Sequence, residues 1–184
     1  MGYRKLAAAA AVLGVAGFTA AAVAGDPRRD FNTDMTGFEE VPSVSTTGGG
    51  QVDAQINRAG TEIRYTLRYR NLEGKVQQSH IHFGQEGVNG GIVVFLCSNL
   101  GNGTANTPPC PDPPATVTGT LTAADVSAVP ASAGAVTQGI GAGEFDELVR
   151  AMRAGVTYAN VHSDRWPGGE IRGQLDREGH GQDD

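Results

Sequence analysis

Basic runs are missing from this 184-residue chain, whose 14 Lys and Arg are scattered among 20 Asp and Glu for a formal charge of −6. Nucleic acids and anionic membrane surfaces are held by clustered cations, so the chain carries no footprint for either and no nucleic acid is expected as a partner. Aromatic residues make up only 6% and charged residues 18%, whereas glycine and proline number 27 and 9. Bundles and coiled coils need long runs of helix formers, which this balance denies; short strands joined by turns fit it, and the length suits one domain. Catalytic signatures are absent as well: there is no G-x-S-x-G elbow, no H-E-x-x-H, no P-loop and no lone cysteine near a histidine. Glu39 and Glu40 are adjacent, so on a strand they face opposite ways and make a poor acid/base pair.

Long apolar stretches are also scarce, and the one present is at the start. Arg4-Lys5 precedes an Ala-rich stretch over 6–22, and Ala22-Val23-Ala24 has the A-x-A form of a cleavage site. These features predict a cleaved secretory signal peptide over 1–24. An uncleaved anchor is the rival, but the stretch is weakly hydrophobic and no stop-transfer charges follow it. Cleavage would remove Arg4 and Lys5 and no acid, taking the charge to about −8. A linker over 25–30, a folded domain over 31–175 and a charged, disordered tail over 176–184 are expected, in a secreted or periplasmic protein with no membrane span after cleavage. Outside the cytoplasm an isolated cysteine pair is usually oxidised, so Cys97 and Cys110 are expected to form a disulfide; their C-x12-C spacing without a neighbouring histidine is poor for zinc.

Period-two alternation marks strands over 51–57, with Val52, Ala54 and Ile56 on one face, and over 61–70, with Ile63, Tyr65, Leu67 and Tyr69 on one face. Gly48-Gly49-Gly50 reads as a breaker before the first. Further strands are expected over 76–83, 91–97, 116–121, 156–162 and 170–175, with a proline-rich surface excursion over 98–114 and a small-residue loop over 128–143. Thr122 and Asp125 suit a capped turn. One helix is predicted over 144–154, where Phe145, Leu148, Val149 and Met152 recur at helical spacing and Gly155 can end it. The expected fold is all-β: an antiparallel Greek-key or immunoglobulin-like β-sandwich or barrel with one short α-helix.

Two hairpins echo one another. Ser79-His80-Ile81-His82 runs through a glycine-rich loop to Asn89-Gly90-Gly91, and Ala159-Asn160-Val161-His162 runs through Ser163-Asp164-Arg165-Trp166 to Pro167-Gly168-Gly169-Glu170. Alternation puts His80 and His82 on one face and Ile81 and Phe83 on the other; it likewise separates Tyr158, Asn160 and His162 from Ala159 and Val161. An H-x-H pair on a strand is a compact chelate for copper, zinc or nickel, and His162 would complete a three-histidine set. Glu170, Asn160 and Gln78 are candidates to fill or support the remaining positions. The competing reading keeps the histidines as hydrogen-bonding anchors for loops. Trp166 reads as a packing residue of its hairpin rather than an exposed recognition residue.

Phe38-Glu39-Glu40-Val41-Pro42, Ser79-His80-Ile81-His82-Phe83-Gly84, Asn89-Gly90-Gly91-Ile92 and Tyr158-Ala159-Asn160-Val161-His162 followed by Pro167-Gly168-Gly169-Glu170-Ile171-Arg172-Gly173 resemble the CHRD (chordin) domain over about 31–175. The resemblance implies an all-β, immunoglobulin-like domain of exported proteins without an established activity, and puts His80, His82, His162, Gly168, Gly169, Glu170 and Gly173 at motif positions. Ser43, Gly91 and the Cys97–Cys110 excursion depart from the family pattern, in turns rather than at histidines. The H-x-H strand is also similar in local form to the copper-ligand strand of copper/zinc superoxide dismutases, without their zinc loop or full ligand set.

Three functional expectations follow. The leading one is an exported binding module whose His80, His82 and His162 coordinate a transition metal, copper before zinc by the Irving–Williams order. The second is a module that binds another exported protein, with structural histidines. The third is a copper-dependent redox enzyme, which would need an open coordination position.

Overall fold

The computed structural model describes Met1 and residues 29–126 and 134–177. The strands are β1 (Asp30–Thr36), β2 (Gly49–Ile56), β3 (Ile63–Arg70), β4 (Val76–Phe83), β5 (Gly91–Ser98), β6 (Ala115–Leu121), β7 (Thr157–Ser163), β8 (Ile171–Gln174) and β9 (Asp176–Arg177). All of these pair antiparallel in one sheet of order β5-β4-β7-β8-β1-β2-β3-β6, with β9 on β1. The all-β expectation thus takes its barrel form, a single curled sheet that nearly closes. Its two end strands, β5 and β6, are consecutive in sequence, and the 99–114 excursion spans the seam between them. The Cys97–Cys110 disulfide ties that excursion to β5. The Tyr65 hydroxyl donates to Leu96 O at 2.6 Å and the Tyr69 hydroxyl to Pro111 O at 2.6 Å, so β3 holds both sides of the seam.

Alternating apolar residues point into the barrel as their period requires. Val52, Ile56, Ile63, Leu67, Ile81, Val94, Leu96, Ala159, Val161 and Ile171 are sealed from solvent. The helix α1 (Phe145–Arg153) buries Phe145, Leu148, Val149 and Met152, the four residues its spacing selects. Gly155 follows it at φ 69°, the left-handed conformation that ends helices. Thr122 and Asp125 cap their 3-10 turn through bonds from the Thr122 amide and hydroxyl to the Asp125 carboxylate.

Three readings are corrected. Gly49 and Gly50 do not break the chain but belong to β2, where a Cβ on Gly50 would meet Arg68 O at 2.7 Å, the Met35 methyl at 2.8 Å and Ile171 Cδ1 at 2.9 Å; the glycine serves close packing. Asp176 and Arg177, assigned to a disordered tail, pair with Asn32 and Phe31 of β1. Asp30, placed in the linker, already belongs to β1. The signal segment beyond Met1 and the tail over 178–184 lie outside the described residues. Among the described residues no helix is long and apolar enough to cross a membrane.

Candidate metal centre

β4 and β7 lie side by side, with His80 opposite Asn160, Gln78 opposite His162 and His82 opposite Tyr158. One face of this pair sends Ile81, Ala159 and Val161 into the barrel. The other gathers the three histidines with Asn160 and Tyr158, and this face is buried too: His80 is 0%, His82 6% and His162 6% exposed. Ring centroids are 4.8 Å apart for His80 and His162, 5.3 Å for His80 and His82, and 6.1 Å for His82 and His162. One ring nitrogen from each lies within 4.8 Å of the others.

Each neutral ring has one hydrogen for two facing oxygens. With it on the nitrogen that meets the backbone, His82 Nδ1–H bonds Gly90 O at 3.0 Å and His162 Nδ1–H bonds Pro167 O at 2.8 Å. Each bond runs to the backbone at the Gly-Gly end of its own loop, which gives the two echoing hairpins the equivalent histidine roles their sequences suggest. Both Nε2 atoms are left with lone pairs, and both face Asn160 Oδ1, at 3.1 Å and 2.9 Å. His80 Nδ1 sits 3.1 Å from His162 Nε2 with at most one hydrogen between them, while His80 Nε2 is buried without a partner. Three electron-pair donors therefore meet around a deficit of hydrogens, and a buried acceptor without a partner costs about 1–3 kcal/mol. A cation satisfies such a set, and backbone carbonyls on the far ring nitrogens are the usual supports of metal-binding imidazoles.

Burial also keeps the rings in the neutral, ligating form. Desolvation carries His82 down to about 3, against the opposing bond to Gly90 O. It lowers His80 well below the usual histidine range, helped by the neighbouring His162 and His82, and lowers His162 against the bond to Pro167.

Loops over 37–48, 84–90 and 163–169 roof the cluster. Arg172 of β8, opposite Asn160 in register, is the buried pin between them. It donates to Asn89 Oδ1 at 3.3 Å, Gln85 O at 3.3 Å and Val88 O at 3.0 Å, and its Cζ lies 3.5 Å from the Tyr158 ring centroid. Tyr158 in turn stacks on His82 at 4.6 Å. Asn89 Nδ2 donates to Val41 O at 2.8 Å, joining two roof loops. Glu40 is buried against Gly169, whose φ of 131° and missing Cβ make the room. Burial raises the Glu40 carboxyl to about 7, with Arg172, the Val41 amide and Asn160 drawing it the other way.

Of the supporting residues chosen from sequence, only Asn160 stands at the cluster. Glu170 is buried elsewhere: its carboxylate accepts from Thr46 Oγ1 at 2.8 Å, Glu73 N at 2.6 Å and Gly74 N at 3.4 Å, and so fastens loops together. Gln78 Oε1 accepts from Asn102 Nδ2 at 2.9 Å. Trp166 is half-buried with the Arg165 guanidinium 4.5 Å over its ring, as a packing residue should be. Glu40 and Arg172 were the residues the sequence reading missed. Alternation from Ile171 in β8 carried a signal for Arg172; Glu40, outside any strand, had only its place in the Phe38-Glu39-Glu40-Val41-Pro42 motif.

No curated protein and no solved structure matches the chain. The CHRD domain model matches residues 31–175, most of the chain and all of the elements that build the histidine cluster. The chain belongs to the CHRD domain family.

Proposed function

We propose that this CHRD domain is an exported module that binds one transition-metal ion through His80, His82 and His162, copper before zinc, with Asn160 Oδ1 completing the donor set. The observation that carries the reading is the convergence of His82 Nε2 and His162 Nε2 on Asn160 Oδ1, at 3.1 and 2.9 Å, with His80 Nδ1 3.1 Å from His162 Nε2, a buried set in which neutral rings supply fewer hydrogens than there are acceptors. Burial favours retention of an ion over turnover, because redox catalysis needs a coordination position that substrate can reach. The segment over 1–24 supports export to the periplasm or the medium.

The test is metal analysis of the full chain purified from its native compartment without an affinity tag, beside a His80→Ala/His82→Ala variant. One equivalent of copper or zinc in the wild type, lost in the variant, is expected. Absence of metal from wild-type protein, together with failure to take it up in vitro, would sink the reading.

A second reading, a protein-interaction module, is favoured by Phe38 and Val88, which stand 75% and 46% exposed on the roof loops. Phe38→Ser would then abolish capture of an exported partner protein while leaving metal content unchanged.

A further inference from the structure

Resting on the metal reading above, we infer that the cage is built for copper in its monovalent state, held by neutral donors alone. The cost of taking an ion out of water grows as the square of its charge, so a buried dication needs anionic ligands that a monocation can do without. Every donor facing the centre is neutral: three imidazoles and one amide oxygen.

The nearby acids do not change this balance. Glu170 is taken up by Thr46 and the amides of Glu73 and Gly74. Glu40 interacts with the Arg172 guanidinium, so the two together bring no net negative charge. Among the described residues no hydrogen bond joins a carboxylate to any of the three rings.

Coordination number points the same way. Copper(II) prefers a tetragonal set, with further ligands such as water completing it. Here the rings are at most 6% exposed and Asn160 2%, which leaves no solvent side to supply water or hydroxide. Monovalent copper is a closed-shell ion satisfied by two or three nitrogen donors, and imidazole is a ligand it accepts.

The test uses the metal-free full chain, titrated without oxygen with Cu(I) against a chromogenic Cu(I) chelator, and separately with Zn(II) and Cu(II). One equivalent of Cu(I) is expected to bind at least ~100-fold more tightly than Zn(II), given the charge dependence of desolvation. Zn(II) binding as tightly as Cu(I) would overturn the monovalent assignment and leave the metal reading standing; no binding of any of the three ions would overturn both. A second variant probes the charge directly. Asn160→Asp, near-isosteric and anionic, should narrow the gap between Cu(I) and Zn(II) by ~10-fold or more through added attraction for the dication. A gap unchanged in folded Asn160→Asp protein, with folding checked by circular dichroism, would also defeat the assignment.

Discussion

An imidazole kept from water resists protonation, and this chain keeps three of them together. In the unfolded state each takes up a proton as pH falls through about 6.5, whereas in the folded, metal-free protein burial delays that step, to about 3 for His82. Glu40 works in the opposite sense: its folded value of about 7 lies above its ordinary 4.5, so the folded protein holds a proton that the unfolded chain releases. Between pH 6.5 and 4.5 unfolding therefore takes up imidazole protons that burial keeps off the folded rings and loses one carboxyl proton. The imidazole uptake outweighs the single carboxyl, so stability falls as pH drops through this window. Urea unfolding of metal-free protein at half-unit steps from pH 7.5 to 5 should give a flat midpoint above 7 and a steep decline below 6.5. A midpoint unchanged down to pH 5 would show that the rings are open to water. Bound metal, which the folded state alone can hold, should raise the whole curve.

Strands β4 and β7 each carry two jobs on alternate residues, and this sets what could be read from sequence. Period two is local, so the division of Ile81, Ala159 and Val161 from His80, His82, Asn160 and His162 was legible without any tertiary knowledge, as was the face of α1. That the histidine face would be buried was not, because its roof consists of three loops without periodicity. Glu170 shows the same limit from the other side. It stands just before β8, where the chain leaves the turn at Gly169, so strand alternation does not fix its direction, and its carboxylate turns to loops over 46–48 and 73–74. The two jobs of β4 should separate by mutation. Ile81→Ala, which empties a fully buried position, should cost about 2–5 kcal/mol of stability yet leave one equivalent of metal bound. His82→Gln should do the reverse, losing metal with the fold retained. Calorimetry and metal analysis of the two variants check this, and loss of metal by folded Ile81→Ala protein would contradict the independence of the faces.

Across the whole molecule the site depends on an order of strands that no local pattern encodes. His80 and His162 meet because β4 and β7, separated in sequence by β5, β6 and α1, are neighbours in the sheet, and the sheet can curl to bring this about only if its ends are managed. Those ends are β5 and β6, and the seam between them is where a barrel that nearly closes is weakest. Cysteine count and the expectation of export made the Cys97–Cys110 pairing legible; its place at the seam was not, since it follows from the strand order. The crosslink closes a short loop, at a sequence separation of 13, and chain-entropy reasoning gives it about 3 kcal/mol. Cys97→Ser/Cys110→Ser should therefore lower stability by about that amount. The loss should also have a location: β5 pairs with β4 at His80 and Phe95, so loosening the seam reaches the histidine cluster before it reaches β1, β2 and β3. Hydrogen exchange of the double variant should show protection falling first in β5 and β6, with metal retention reduced, while the β2–β3 pair stays protected to the level of global unfolding. Uniform loss of protection through all strands would mean that the disulfide stabilises the barrel only as a whole and that the seam is not its weak edge.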